Sequence, residues 1–196
     1  MNQKTALIVV DLNNDFMPGG ALAVESADEV LAPINRLAEN GGYDYIVATQ
    51  DWHPPDHNSF KTWPVHCVAG TVGADFHPLF KMEFAHALVR KGFRSDRDSY
   101  SGFYDERGDS NGLAELLHAR RITHVDVVGI ATDYCVKATA IEAAKRAGFR
   151  TRVLLFACRG VGLNPQDIPG AIEEIRAAGV EIVSDDPFTP TASIPD

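Results

Sequence analysis

The sequence predicts an α/β domain: a mainly parallel, six-stranded sheet with helices on both faces. Three observations predict it. Six apolar runs are rich in β-branched residues, helical patterns lie between most of them, and short loops join the two. The runs are ALIVV (6–10), YIVA (45–48), HALVR (86–90), VDVVGIA (125–131), RVLLFA (152–157) and VEIV (180–183). Ser26 with Glu29 reads as a capping box before VLAPINRLAE, although Pro33 lies inside that pattern. LAELLHARR (113–121) and VKATAIEAAKRAG (136–148) repeat apolar residues at helical spacing, and Gly148 closes the second. IPGAIEEIRAAG (168–179) is the fourth helical pattern. Segments 51–78 and 92–110 break the alternation, and long irregular segments in a compact α/β domain are usually functional loops.

The 196 residues fit a single domain, 1–196. A chain of this length hides roughly 70% of its unfolded surface, enough for a full core. The net charge of −9 argues against nucleic acid or an anionic membrane surface as a partner. The apolar run near the amino terminus is too short for a signal peptide, and no run approaches transmembrane length. Cys67, Cys135 and Cys158 form no CxxC pair, so the expectation is a reducing cytoplasm without a disulfide framework.

In a parallel sheet, sites form at the carboxyl ends of the strands. The first run ends in Asp11, the third in Lys91, and the fourth turns through ATDYC into a helix with Cys135 near its first turn. Taken singly, each has a bland explanation: a turn-capping Asp, a solvated Lys, a buried structural Cys. Together they place an acid, a cation and a thiol at three strand ends. A thiol at a helix start is expected to have a lowered pKa. The stretch TQDWHPPDHNSF (49–60) adds Asp51, His53, Asp56 and His57. Asp51 and His53, two apart in extended chain, point the same way and can reach one ion.

The blocks IVVDLNNDF, DWHP, WPVHCVAGTVGADFH, RKG, YSGF and GIATDYCV occur in this order. With them the chain resembles the nicotinamidases (pyrazinamidases) of the isochorismatase-like hydrolase superfamily, from about residue 5 to about residue 185. The resemblance implies a catalytic triad of Asp11, Lys91 and Cys135. It implies Asp51, His53 and His66 as ligands of one divalent transition metal ion, zinc first and iron or manganese as alternatives. His57 is left open between facing solvent and acting as an extra ligand. The resemblance also places Phe16, Trp63 and Tyr100 around the substrate ring, and gives Tyr134 no catalytic role. In the family the peptide matched by Ile130–Ala131 is cis, aiming the Ala131 N–H, with that of Cys135, at an oxyanion.

The implied reaction is hydrolysis of nicotinamide to nicotinic acid and ammonia through a thioester on Cys135, with pyrazinamide as a second substrate. The implied partner is a small molecule, with a homo-oligomer left open. Three rivals remain at this point. One is a superfamily cysteine amidohydrolase acting on a ureido or carbamoyl substrate. Another is a metallohydrolase in which Cys135 is structural. The third is a dinucleotide-binding domain, against which DLNNDFMPGG stands where GxGxxG would be needed.

Overall fold

The computed structural model describes residues 3–188. Its strands are β1 (Thr5–Val10), β2 (Tyr45–Asp51), β3 (Ala87–Lys91), β4 (His124–Ile130), β5 (Arg150–Arg159) and β6 (Glu181–Val183). All five pairings are parallel, in the order β3-β2-β1-β4-β5-β6. The helices are α1 (Leu31–Asn40), α2 (Leu113–Ala119), α3 (Lys137–Lys145) and α4 (Asp167–Ala177).

The apolar runs are continuous because the sheet is covered on both faces. Along β1, Ala6, Ile8 and Val10 pack with Leu113 and Leu117 of α2, Ala140 and Ala143 of α3 and Ile175 of α4. Leu7 and Val9 point the other way and pack with Leu31, Ile34 and Leu37 of α1. Each such fully buried Leu or Ile contributes about 1.5–3 kcal/mol relative to exposure. No helix among the described residues is long and apolar enough to cross a membrane.

The expected capping box does not form. Ser26 has φ 54°, in the left-handed region, and its side chain makes no cap hydrogen bond. An N-cap that binds the first turn takes an extended backbone instead. A short 3₁₀ turn, Ala27–Val30, leads into α1, and Glu29 turns outward to accept from Arg159. Pro33 lies in the first turn of α1, where its missing N–H has no intrahelical partner to lose.

Chain order reverses beside β1: the path runs to β2 and β3 on one side, then crosses to β4 on the other. Such a reversal opens a crevice at the strands' carboxyl ends. Asp11 leaves β1 on one side of it, and Cys135 follows β4 on the other.

Candidate active site and metal centre

Lys91 closes β3 with an ammonium that is fully buried, a placement tolerated only with partners. Its Nζ donates to Asp51 Oδ1 at 2.6 Å and to the Ser99 carbonyl at 2.9 Å. It lies 2.9 Å from Asp11 Oδ2 and 3.4 Å from Cys135 Sγ. Asp51 is the β2 residue in register with Lys91, so sheet pairing alone sets these two side by side. Asp11 has φ 50°, a conformation that costs a non-glycine residue stability and clusters at functional sites. Its Oδ1 accepts from Thr49 Oγ1 at 2.7 Å.

Two acids around one cation set the electrostatics. Burial pushes the Asp11 carboxyl up to about 6, with Lys91 pulling down and Asp51 pushing up. Burial also acts to raise Asp51, but the Lys91 ammonium and the His53 imidazole outweigh it and hold Asp51 below the usual carboxylate range. For Lys91, burial opposes charge, yet the two carboxylates and the Cys135 sulfur raise its pKa well above the ordinary value.

The expectation of an acidic thiol at Cys135 is overturned. Cys135 lies in a single π-helical turn, Thr132–Val136, and is buried. Burial, reinforced by Asp11 and Asp51, drives its pKa well above 9.0 against the pull of Lys91. Burial at this position thus favours the neutral thiol over the thiolate. Donor atoms of Asp11, Asp51 and Cys135 lie within 4.8 Å of one another. The Ile130–Ala131 peptide is cis, as the resemblance implied.

His53 and His66 are joined by backbone pairing. The His53 N–H donates to the Cys67 carbonyl at 2.9 Å, and the Ala69 N–H donates to the His53 carbonyl at 2.8 Å. Asp15 holds the same turn by accepting from the Cys67 N–H at 2.7 Å. Each ring is oriented by its Nδ1, which donates to Gly92 O at 2.8 Å in His53 and to Pro64 O at 2.7 Å in His66. Both Nε2 lone pairs are thereby left for a ligand, a frequent way of orienting metal-binding histidines. Burial lowers both imidazole pKa values, which keeps the rings neutral. Gly92 must be glycine here, because a Cβ would run into His53 Cε1. Donor atoms of Asp51, His53 and His66 all lie within 4.8 Å of one another. Two neutral imidazoles and a carboxylate in one buried cluster suit a divalent transition metal.

His57 is buried, not solvent-facing. Its Nδ1 is 2.7 Å from Ser59 Oγ, its Nε2 is 3.0 Å from the Arg97 carbonyl, and its ring stacks on His53 at 4.0 Å between centroids. Donor atoms of His53, His57 and Asp98 also lie within 4.8 Å of one another, so His57 adjoins the metal-ligand cluster from its far side. Asp56 accepts from Ser95 Oγ at the surface.

One cavity takes in Asp51, His53, His66, Ala131 and Cys135 together with the three sequence-predicted aromatics, Phe16, Trp63 and Tyr100. Trp63 Nε1 donates to Tyr100 Oη at 3.1 Å. The sequence missed Leu22, Val24, Asp98, Ile130, Tyr134 and Val161, which also line it. Tyr134 packs edge-on against Trp63 at 5.2 Å and adjoins the thiol in sequence, a signal that could have found it. Val161 stands just past the end of β5 and was open to the same strand-end reasoning.

Comparison with known proteins agrees with this geometry. The Isochorismatase domain model matches residues 5–186. The chain is 45% identical to a nicotinamidase/pyrazinamidase of Mycobacterium tuberculosis, across 91% of this chain and 97% of that one. Among solved structures it is similar to a nicotinate complex from L. infantum (TM-score 0.89, 38% identity, 93% of each chain). It is also similar to a zinc complex of Pyrococcus horikoshii pyrazinamidase (TM-score 0.82, 40% identity, 93% of this chain and 99% of that one). The chain belongs to the isochorismatase-domain family, within its nicotinamidase group.

Proposed function

We propose that this protein is a metal-dependent cysteine amidohydrolase that converts nicotinamide to nicotinic acid and ammonia, and that also hydrolyses pyrazinamide. The observation that carries the reading is the sharing of one aromatic-lined cavity by Cys135 and the Asp51, His53 and His66 set, with Lys91 between Asp11, Asp51 and the thiol. A ureido or carbamoyl amidohydrolase has no need of that ligand set, so that alternative is not favoured.

Cys135 Sγ attacks the carboxamide carbon while Asp11 takes the thiol proton. An Asp11 pKa of about 6 leaves the carboxylate charged at neutral pH yet basic enough to accept that proton. Lys91 stays protonated, stabilises both anionic partners and holds their spacing. The N–H groups of Ala131 and Cys135 stabilise the oxyanion, a donor of this kind being worth about 3 kcal/mol. Collapse breaks the carbon–nitrogen bond, and Asp11 passes its proton to the departing ammonia. The regenerated Asp11 carboxylate draws a proton from water as it attacks the thioester, and Cys135 leaves as the thiol. Phe16, Trp63 and Tyr100 enclose the ring. Asp51, His53 and His66 would hold a divalent ion, zinc being the proposed metal, which would supply Lewis-acid chemistry for orienting the substrate ring. The single domain and its three free cysteines fit a cytoplasmic enzyme.

The test is ammonia release from nicotinamide by the metal-replete enzyme, after chelation, and after zinc is restored. Activity lost and regained is expected. Metal-replete protein that releases no ammonia overturns the function, and full activity after complete chelation overturns the role of the metal.

A further inference from the structure

The loop after β5 closes one side of the cavity with Val161. A carboxylate from the nucleophile turn holds this loop. The Val161 N–H donates to Asp133 Oδ1 at 2.8 Å, and the Gly162 N–H donates to Asp133 Oδ2 at 2.9 Å. Asp133 is 6% exposed and makes no ion pair among the described residues. Its charge is thus met by two consecutive backbone donors, a pairing stronger than neutral hydrogen bonds. The loop's glycines permit this approach. A Cβ on Gly160 would stand 3.0 Å from Asp133 Oδ1 and 2.8 Å from Ile168 Cδ1, and Gly162 has φ 59°. The hydrolytic steps use none of these atoms.

We propose that Asp133 is a positioning residue that sets ring selectivity by holding Val161 against the cavity. This rests on the nicotinamidase reading. Asp133 reaches Val161 from the turn that carries Cys135, so one side chain fixes the distance between the attacking sulfur's turn and the apolar wall. If the clamp loosens, the wall recedes and the ring loses its fit. The acid and the cation come from β1 and β3, which the clamp does not touch. Loss of the clamp should therefore appear in substrate binding and in discrimination between rings, not in the chemical step.

The test is Asp133→Asn, which keeps the shape but sets an amide NH₂ against one of the two N–H donors. Kinetics are measured on nicotinamide and on ring-methylated nicotinamide. Hydrogen exchange is followed at the Val161 and Gly162 amides, and the rate of Cys135 alkylation by iodoacetamide is recorded. A misfit of about one methylene in an apolar pocket is worth at least about tenfold, so KM for nicotinamide should rise by about that factor. We expect kcat to stay within about threefold, the signature of lost binding and not of lost chemistry. The methylated substrate should gain relative to nicotinamide, both amides should exchange faster, and alkylation should proceed at the wild-type rate. A fall in kcat at constant KM, or a changed alkylation rate, would instead make Asp133 a prop for the nucleophile and overturn the proposal. Should Asp133→Asn fail to fold, Gly160→Ala crowds the same carboxylate oxygen and must give the same pattern at smaller size; an unchanged substrate ratio there also overturns it. Wild-type enzyme silent toward nicotinamide sinks the functional reading and the selectivity claim together, whereas wild-type amide exchange in Asp133→Asn sinks the clamp alone.

Discussion

Two charge clusters on the same sheet, one half-open to water and one buried, have opposite characters. At the amino-terminal side, Arg152 makes two 2.7 Å bonds to the two oxygens of Asp126, and Tyr43 Oη adds a third at 2.7 Å. Burial and the adjacent Asp126 carboxylate raise the Tyr43 pKa, so its hydroxyl stays a donor. One anion meets one cation and one neutral donor, and the Arg152 side chain is 46% open to water. At the carboxyl ends, Lys91 is shared by two carboxylates and a thiol with almost no exposure. The first cluster is balanced and has nothing left to do. The second holds an excess acid and a raised thiol, so a proton has somewhere to go. An unbalanced set of buried titratable groups in a cleft marks a candidate site; a balanced, water-facing pair does not.

Removing the thiol should break the contrast most severely. Cys135→Ala is expected to keep the fold and lose activity on the order of 10⁴-fold or more, as nucleophile deletions do. Cys158→Ala, at an equally buried thiol outside the cavity, should remain active. Full activity in purified Cys135→Ala would end the covalent mechanism. A second, smaller effect tests the metal side of the unbalanced cluster. Benzamide has the carboxamide but no ring nitrogen, and water can take the vacated position, so we expect a loss on the order of 10²–10³-fold in kcat/KM. Pyrazinamide keeps that nitrogen and should be hydrolysed. Benzamide turning over as fast as nicotinamide would mean that Asp51, His53 and His66 do not orient the ring.

The pH profile sharpens the contrast further. As the proposed base, Asp11 would have to be unprotonated to accept the thiol proton, and burial puts its pKa at about 6. As pH falls through that value kcat/KM should drop, reaching about tenfold per unit, and it should be flat just above. A profile with no acid limb down to pH near 4 would remove Asp11 as the base. The smallest effect belongs to the balanced cluster. Tyr43→Phe deletes one hydrogen bond to a charged group and should cost about 1.5–3 kcal/mol of stability, seen as a lowered Tm, with kcat/KM unchanged. Impaired catalysis in that variant would show that the clusters are not independent.

Much of this was legible in the chain. Asp11, Lys91 and Cys135 end apolar strands, and strand ends converge by topology, so residues far apart in sequence could be expected to meet. Asp51 and His53 announce themselves by alternation, and His66 through the resemblance. What was not legible depends on tertiary burial. The fate of the Cys135 proton is decided by how completely the cavity excludes water, and no local motif encodes that. Ser26 and Glu29 have capping-box spacing, but Val24, Ala27 and Val30 are buried in the core on either side of a left-handed Ser26, a tertiary arrangement the local spacing does not encode. The surroundings of His57 were equally hidden: its nitrogens meet Ser59 and the Arg97 carbonyl, and its ring stacks on His53 beside Asp98, a residue far along the chain.

Asp51 belongs to both halves of the site. Its Oδ1 holds Lys91, while its Oδ2 faces His53 Nε2 at 3.7 Å. A single carboxylate therefore links two equilibria: whatever draws on one oxygen changes what the other offers. Thermodynamic linkage makes that influence reciprocal, so in the proposed metal site the protonation of the Lys91 cluster and the affinity for an ion could not be tuned separately. A substitution at Asp51 perturbs both and reports on neither alone, whereas His53 and Asp11 each touch one side and form the proper corners of a double-mutant cycle.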